Sequence, residues 1–478
     1  MNILFAGVEC FPFVKIGGLG DVLGSLPNEL NSLGEDARVI LPKYKTIKRE
    51  LLEKIKFLEY FYVRVGQASE YVGLFELKYN KVKYYFIDNE KYFGRDKVYG
   101  FSDEYDRWAF FEIAIVEAIK HFKDFKVDIL NANDWHTGMI PYLIKNSESS
   151  EIRKIKTIYT IHNILYQGEC DKGFAQIFNL PFDSTMELNG NMNIMKCAIL
   201  NADSVNTVSE QYKNELLSSD YFAMGLKDAL NEVNNKGLFS GILNGIDYNI
   251  FNPKKDEIIP MKYSYSTYQE GKLLAKEELN KRMNIDFNKD YPLMSIVSRL
   301  TKQKGLDLIV RVIDEMINDN KRPFNFFILG NGERQFEDFF YGLECRYKDR
   351  VKFYNGYSDE LAHIVYAASD LFLMPSAFEP CGLGQMIALK YGTLPIVRET
   401  GGLKDSVEPF NEYEMKGNGF SFTNFNAHDM MYTIRYALDK IKRKKNKNLL
   451  VKNAMNSDYS FKASAIKYLD LYKKVKSL

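Results

Sequence analysis

The sequence predicts an α/β protein built from two doubly wound domains. Short apolar, β-branched runs alternate with helical stretches almost throughout, these runs form two separate series, and a polar, irregular stretch divides the series. Strands of this kind are buried on both faces, and intervening helices turn them into βαβ units of parallel sheets. The length agrees, because 478 residues exceed one ordinary core and point to two or three domains.

In the first series the strands are read at "NILFAGV" (2–8), "ARVIL" (37–41), "VDILNAN" (127–133), "KTIYTIHN" (156–163), "DSVNTVS" (203–209) and "GILNGI" (241–246). The second series holds "PLMSIVSR" (292–299), "FNFFILG" (324–330), "RVKFYNG" (350–356), "DLFLMPS" (370–376), "TLPIVRE" (393–399) and "GFSF" (419–422). Between them, residues 247–291 begin polar and become helical through "GKLLAKEELNKRM". The boundary falls near residue 245, giving domains 1–245 and 246–460. Residues 461–478 form a last helix, in which Phe461, Ala465, Tyr468, Tyr472 and Val475 recur on one face, so that face must dock. The basic run "KIKRKKNKN" (440–448) reads as a solvated helix end.

Composition narrows the function. With 64 basic and 63 acidic residues the net charge is +1, so no global field recruits nucleic acid or an anionic membrane. Any anionic partner must be held by a few placed cations. The five cysteines are scattered, with no C-x-x-C pair, which argues against a disulfide framework or a structural zinc site and suits a reducing compartment. The opening "MNILFAGVECFPF" lacks a basic region and carries Glu9 within its apolar run, so it reads as a first strand rather than a signal peptide. No apolar run reaches about eighteen residues. The expected location is cytoplasmic. Aromatic residues make up 14%, but a general compositional bias accounts for that figure, and it carries no functional weight.

The polar clusters sit at or just after strand ends. Two such domains facing each other create a central cleft at the carboxyl ends of both sheets, where ligands of open α/β sheets bind. After the first strand comes "VKIGGLGDV" (14–22), a Gly-rich turn with Lys15 ahead of Gly17 and Gly18 that lacks the G-x-G-x-x-G spacing. "NDWHT" (133–137) and "IHN" (161–163) place His136 and His162, two of five histidines, at strand ends beside Asp134 and Asn163, which suits polar contacts with a substrate. "SRLTKQKG" (298–305) places Arg299 and Lys304 before a helix near Gly305, an arrangement that suits a diphosphate. In "PSAFEPCGLGQ" Glu379 occupies a tight turn after a strand, with a helix expected from about Gly382 to offer free amides. "TGGL" (400–403) repeats the glycine pair before another helix. No D-x-D pair and no metal-ligand spacing occurs, so an expelled diphosphate would be met by Lys, Arg and backbone amides.

Together "KIGGLGDV", "NDWHT", "YTIHN", "NGID" (244–247), "SRLTKQKG", "SAFEPCGLGQ", "YGTLPIVRETGGLKDSV" and "FKASAIKYLDLYKK" resemble the bacterial glycogen synthase and plant starch synthase family, with motifs in the family order from residue 1 to the C-terminus. These are ADP-glucose-dependent, retaining glucosyltransferases. The resemblance implies the GT-B arrangement of two Rossmann-like domains, with the last helix crossing back to the first. It places the glucan acceptor and the K-x-G-G loop on the first domain and the nucleotide-sugar donor on the second. It implies transfer of glucose from ADP-glucose to the non-reducing 4-OH of glycogen or another α-1,4-glucan, with no metal and no cofactor.

Carried over by position, the family's catalytic set is Lys15, His162, Arg299, Lys304 and Glu379. Lys15, Gly17 and Gly18 would border the donor, Arg299 and Lys304 would bind its phosphates, and His162 and Asn163 would contact the transferring glucose with Asp134 nearby. Glu379 would hold the glucose hydroxyls beside Cys381 and Gly382, with Asn244, Thr400, Gly401 and Gly402 as further substrate contacts. Departures are few: Ile16 stands where Thr or Val is common, "DSV" replaces "DTV", and "DEYDRW" (103–108) matches loosely in the acceptor region, which leaves acceptor preference open. The rival readings are a related enzyme of this fold using UDP-glucose or another acceptor, and a non-catalytic glucan-binding protein. A phosphorylase is a weaker rival.

Overall fold

The computed structural model describes all 478 residues, which divide into two compact units. The first comprises Met1–Asn244 together with Phe461–Leu478, and the second is Gly245–Ser460.

The first unit is built on a nine-stranded sheet. Its strands are β1 (Asn2–Ala6), β2 (Asp36–Pro42), β3 (Lys56–Val65), β4 (Ala68–Tyr79), β5 (Val82–Asp88), β6 (Ile129–Asn133), β7 (Lys156–Ile161), β11 (Ser204–Thr207) and β12 (Phe239–Gly241). Strands β8 (Glu169–Cys170), β9 (Glu187–Leu188) and β10 (Asn191–Asn193) form a small separate sheet. The large sheet runs β12-β11-β7-β6-β1-β2-β5-β4-β3, parallel except where β4 pairs antiparallel with β3 and β5. Central strands are buried on both faces: β1 is an apolar run, while β6 and β7 also carry buried Asn131, Asn133, Thr157 and Thr160.

Several stretches differ from the sequence reading, the short strands β8, β9 and β10 among them. Strands β3, β4 and β5 were not foreseen, because β3 carries aromatic and charged residues on an open face and its pattern falls short of a buried run. The strand expected over 241–246 stands instead at Phe239–Gly241. Its parallel partner β11 offers four residues, and the register ends at Thr207 opposite Gly241.

A buried hydrogen-bond chain docks the last helix. Tyr472 donates its hydroxyl to Asn131 Oδ1 (2.8 Å), Asn131 Nδ2 donates to Thr160 Oγ1 (2.8 Å), Thr160 donates to Asn206 Oδ1 (2.7 Å), and Asn206 Nδ2 donates to Tyr468 (3.2 Å). Three adjacent strands, β6, β7 and β11, thus meet two tyrosines one helical turn apart. The helix Phe461–Lys476 also packs on the helix Gly18–Ser32. All five residues of its expected face are buried.

The second unit has a six-stranded, wholly parallel sheet of β13 (Leu293–Val297), β14 (Asn325–Gly330), β15 (Val351–Asn355), β16 (Leu371–Met374), β17 (Leu394–Arg398) and β18 (Phe420–Phe422). The order β15-β14-β13-β16-β17-β18 is the doubly wound 3-2-1-4-5-6 arrangement. Beneath it Asp370 is buried and receives Lys276 (2.6 Å) and Lys447 (2.7 Å). The basic run 440–448 is therefore not one solvated end. It spans the break between helices Ala427–Ile441 and Lys444–Asn456, and Lys447 turns inward because a buried carboxylate needs a counter-charge. No helix is long and apolar enough to cross a membrane.

Replacing Tyr472 with Phe leaves Asn131 Oδ1 buried without its donor, so the variant should lose about 1–3 kcal/mol of stability. Substituting exposed Ile466 by Ser on the same helix should change stability by less than about 0.5 kcal/mol. Urea unfolding compares the two, and equal losses would contradict the docking role.

Candidate functional site

Each sheet has a point where the chain's direction of winding reverses, and loops at the carboxyl ends of the strands there form a natural crevice. In the first unit the reversal lies between β1 and β6, in the second between β13 and β16. The sequence-singled residues lie on these loops and on those after β7, β12 and β17.

After β1 the chain folds back over the start of the helix Gly18–Ser32. Gly20 admits this approach, since a Cβ there would lie 3.2 Å from Lys15 Cα, and Gly24 likewise admits the Phe11 carbonyl. Lys15 Nζ reaches Asp21 Oδ1 at 2.7 Å. Glu9, buried behind the loop, accepts the amides of Ile16 and Gly17 through Oε2 (2.7 Å each) and the Tyr99 hydroxyl through Oε1 (2.7 Å). Those two amides are therefore taken up internally. The donors left at this helix start are Gly18 and Leu19, which have no intrahelical acceptor by position. Gly17 and Gly18 are exposed, and space around Gly18 is open.

After β6, Asp134 adopts φ 56° and ψ 179°, a region nearly confined to glycine that costs on the order of 1–3 kcal/mol. Its Oδ1 accepts the amides of His162 (2.8 Å) and Asn163 (3.3 Å), joining the ends of β6 and β7. Burial pushes the Asp134 carboxyl up to about 7. His162 Nε2 lies 2.9 Å from Asn133 Oδ1, and Asn133 donates its amide nitrogen to the carbonyls of Ala6 and Asn131 (3.0 Å each). That fixes the Asn133 oxygen as an acceptor, so His162 carries its proton on Nε2 and presents Nδ1 as an acceptor, suited to a hydroxyl. Burial pushes the imidazole down to about 3, so it is neutral. His136 is also pushed down to about 3, by burial and then by the Arg107 charge, and packs among Tyr99, Trp108 and Trp135.

In the second unit the loops after β13 and β16 interlock. Lys304 Nζ lies 2.6 Å from Glu379 Oε2, which also accepts the Ser376 hydroxyl (3.0 Å). Side-chain exposures of 17% and 9% make this a largely desolvated ion pair. The approach depends on glycines: Gly305 (φ 69°) would place a Cβ 2.0 Å from the Pro375 carbonyl, and Gly401 (φ 44°) one 2.0 Å from the Glu379 carbonyl. Gly402 donates its amide to the carbonyls of Glu379 and Pro380 (3.2 Å each), behind buried Thr400. Gly382 (φ 70°) and buried Cys381 complete the turn, but the helix begins at Gly384 rather than Gly382 and has seven residues. Arg299 is exposed and forms no ion pair.

The structure thus joins Asp134, His162 and Asn163 by direct bonds, and Lys304 with Glu379 and the Cys381–Gly382 and Thr400–Gly402 turns. Lys15 belongs to a separate pair with Asp21. Asn244 is buried at the end of the first unit's long segment, with its Oδ1 unpartnered. Sequence reasoning missed Glu9, Asp21, Asn133, Tyr99 and Ser376 as supports. The signal for Glu9 was present, since a carboxylate inside an apolar run is costly unless it is hydrogen-bonded. No group of three or more His, Cys, Asp or Glu side chains stands together to hold a metal ion.

Comparison with known proteins places these loops in context. Residues 2–232 match the family model "Starch synthase catalytic domain", and residues 277–454 match "Glycosyl transferases group 1". The chain is 43% identical over 479 residues to a glycogen synthase of Clostridium kluyveri, covering 99% of both. It is 45% identical over 489 residues to one of Bacillus cytotoxicus, covering 100% of both. Among solved structures, the catalytic domain of starch synthase IV from Arabidopsis thaliana, bound to ADP and acarbose, superposes with TM-score 0.90 at 29% identity, over 100% of this chain and 99% of that one. A sucrose-phosphate synthase from Thermosynechococcus elongatus shares the fold at TM-score 0.62 and 16% identity, over 99% of each chain.

Two predictions follow from the geometry. Lys304→Ala strands a buried carboxylate and should cost about 3–5 kcal/mol in denaturant unfolding, whereas the double change Lys304→Met, Glu379→Leu should recover most of that loss. A double variant no more stable than the single one would contradict the ion-pair account. For pH, His136 and His162 bind protons on unfolding below about 6.5, so their contribution to stability is lost as pH falls. Asp134 acts oppositely, because its folded pKa is raised and its contribution is lost as pH rises toward about 7. Asp134→Asn should therefore steepen the rise of stability with pH between about pH 4 and 6.5, by about 1.4 kcal/mol per pH unit. An unchanged slope would contradict it.

Proposed function

This chain belongs to the glycogen synthase and starch synthase family, and on that premise we propose that it transfers glucose from ADP-glucose to the non-reducing 4-OH of an α-1,4-glucan with retention of configuration. The observation that carries the reading is the Lys304–Glu379 pair at the winding reversal of the second sheet, with Arg299 exposed on the same loop. A lysine paired with one carboxylate, and an exposed arginine on the same loop, suit a diphosphate joined to glucose. The ADP and acarbose held by the Arabidopsis starch synthase IV domain support the same pair of ligands here, a nucleoside diphosphate and an α-glucan.

In this reading Arg299 and Lys304 bind the donor phosphates, and within the first unit Lys15 and the amides of Gly18 and Leu19 give the Gly-rich loop a positive potential suited to an anion. In the first unit His162 accepts a glucose hydroxyl at Nδ1 with Asn163 and Asp134 beside it, and in the second Glu379 suits glucose hydroxyls. Asn244, Gly17, Cys381, Gly382, Thr400, Gly401 and Gly402 border the substrates or shape the turns that do. Donor and product bonds are both α, and Glu379, whose Oε2 is engaged by Lys304 and Ser376, is assigned to the sugar hydroxyls rather than to nucleophilic attack. Attack then comes from the face that the phosphate leaves: the C1–O bond to phosphate breaks, the acceptor O4–C1 bond forms, and the O4 proton passes to the departing phosphate oxygen. The intermediate state has oxocarbenium character, which the expelled ADP stabilises as its charge is met by lysine and arginine. No divalent ion takes part.

Steady-state assays of ADP and UDP release over glycogen test the assignment. ADP-glucose should turn over faster than UDP-glucose, release should need the glucan, and the new linkage should be α-1,4. Preference for UDP-glucose, or nucleotide release indifferent to glucan, would overturn it. Lys304→Ala should lower kcat/KM about a hundredfold or more, and activity near wild type would remove Lys304 from the site.

A further inference from the structure

The K-x-G-G loop is exposed from Lys15 to Gly18, yet a single buried side chain from the end of β1 fixes its backbone. Glu9 Oε2 takes two successive amides, Ile16 and Gly17, at 2.7 Å each, and Oε1 takes the Tyr99 hydroxyl at 2.7 Å. Three strong donors converge on one carboxylate whose residue is 5% exposed. Such charge-assisted bonds hold geometry more firmly than neutral ones.

We propose that Glu9 is a positioning residue for glucosyl transfer: it turns the Ile16 and Gly17 amides inward and so sets the direction of Lys15 and of the open amides at Gly18 and Leu19. The proposal rests on the function assigned above. A carboxylate is otherwise a poor neighbour for an anionic donor. Here it sits behind the loop with its oxygens occupied, and it governs which amides face outward. The second arm reaches the segment before "DEYDRW". Glu104 in that motif accepts the amide of Phe101 (3.0 Å) and the Trp108 indole N–H (2.7 Å), and buried Arg107 donates to the Val98 carbonyl (2.9 Å). The stretch carrying Tyr99 is thus itself anchored on both sides, so Glu9 ties the Gly-rich loop to a rigid support. A glutamine can imitate this: its oxygen can accept both amides while its NH2 donates to the Tyr99 oxygen.

Three proteins decide the matter: wild type, Glu9→Ala and Glu9→Gln. Hydrogen–deuterium exchange of the Ile16 and Gly17 amides should be slow in wild type and Glu9→Gln and fast in Glu9→Ala, a readout independent of substrate. In glucosyl transfer from ADP-glucose to glycogen, Glu9→Ala should lose about a hundredfold in kcat/KM, mainly in kcat, the cost of a mispositioned contact. Glu9→Gln should retain activity within about threefold. Rapid exchange in wild type would overturn the clamp. A fully active Glu9→Ala would overturn its role in transfer, and a Glu9→Gln as impaired as Glu9→Ala would show that charge rather than position matters. If wild type itself transfers nothing from ADP-glucose, the assigned function falls, and the exchange result still decides the clamp.

Discussion

The ion pair between Lys304 and Glu379 is the constraint to which the surrounding loops of the second unit answer. Removing two charges from water is costly, and their attraction offsets that only when geometry is close and the remaining lone pairs are satisfied. The pair therefore needs two loops, after β13 and after β16, to meet at van der Waals distance. Gly305 makes that possible, with a Cβ position 2.0 Å from the Pro375 carbonyl oxygen, and Gly401 and Gly402 after β17 bring a third loop as close to the Glu379 (2.0 Å) and Cys381 (2.1 Å) carbonyl oxygens. Ser376 takes part of the Glu379 oxygen's remaining capacity. Lysine has three N–H donors and the pair uses one, so two stay available to other acceptors, the phosphate oxygens in the proposed function. A lysine so fixed requires little rearrangement when negative charge develops beside it, which is where preorganised charge is most effective.

The first unit applies the same logic with different means. Lys15 is held by Asp21, the loop amides by Glu9, and His162 by an asparagine whose own amide is locked on two carbonyls. Asp134 bears backbone strain so that one oxygen can bridge the ends of β6 and β7. Behind these groups lies the buried chain from Tyr472 to Tyr468, which fixes the last helix to three strands of the sheet. Because that helix also packs on Gly18–Ser32, the C-terminal residues brace the helix whose start carries the Gly-rich loop.

Much of this was legible in the residues. Parallel strands buried on both faces leave a continuous apolar signature, so both doubly wound sheets and the strand-end clusters could be read directly. The open-faced strand β3 leaves a weaker one and escaped, and with it β4 and the buried strand β5. The strand at 239–241 was displaced because its length is set by its partner, which local pattern does not encode. Lys304 and Glu379 were both singled out, but their contact spans 75 positions and depends on glycine-permitted loop packing, so their pairing was not. Glu9 was noticed only as a charge in an apolar run. Its partners, Ile16, Gly17 and Tyr99, became visible once the loop's path was known. The inward turn of Lys447 was misread for a similar reason, since a basic run looks solvated until the buried Asp370 is seen.

The central claim is that a fixed lysine, an exposed arginine and backbone amides neutralise the departing ADP without help from a divalent cation. Its most direct test is glucosyl transfer from ADP-glucose to glycogen at saturating substrates, in excess chelator and then with magnesium titrated back. The account predicts the same turnover throughout. Turnover abolished by the chelator and restored by magnesium would contradict it.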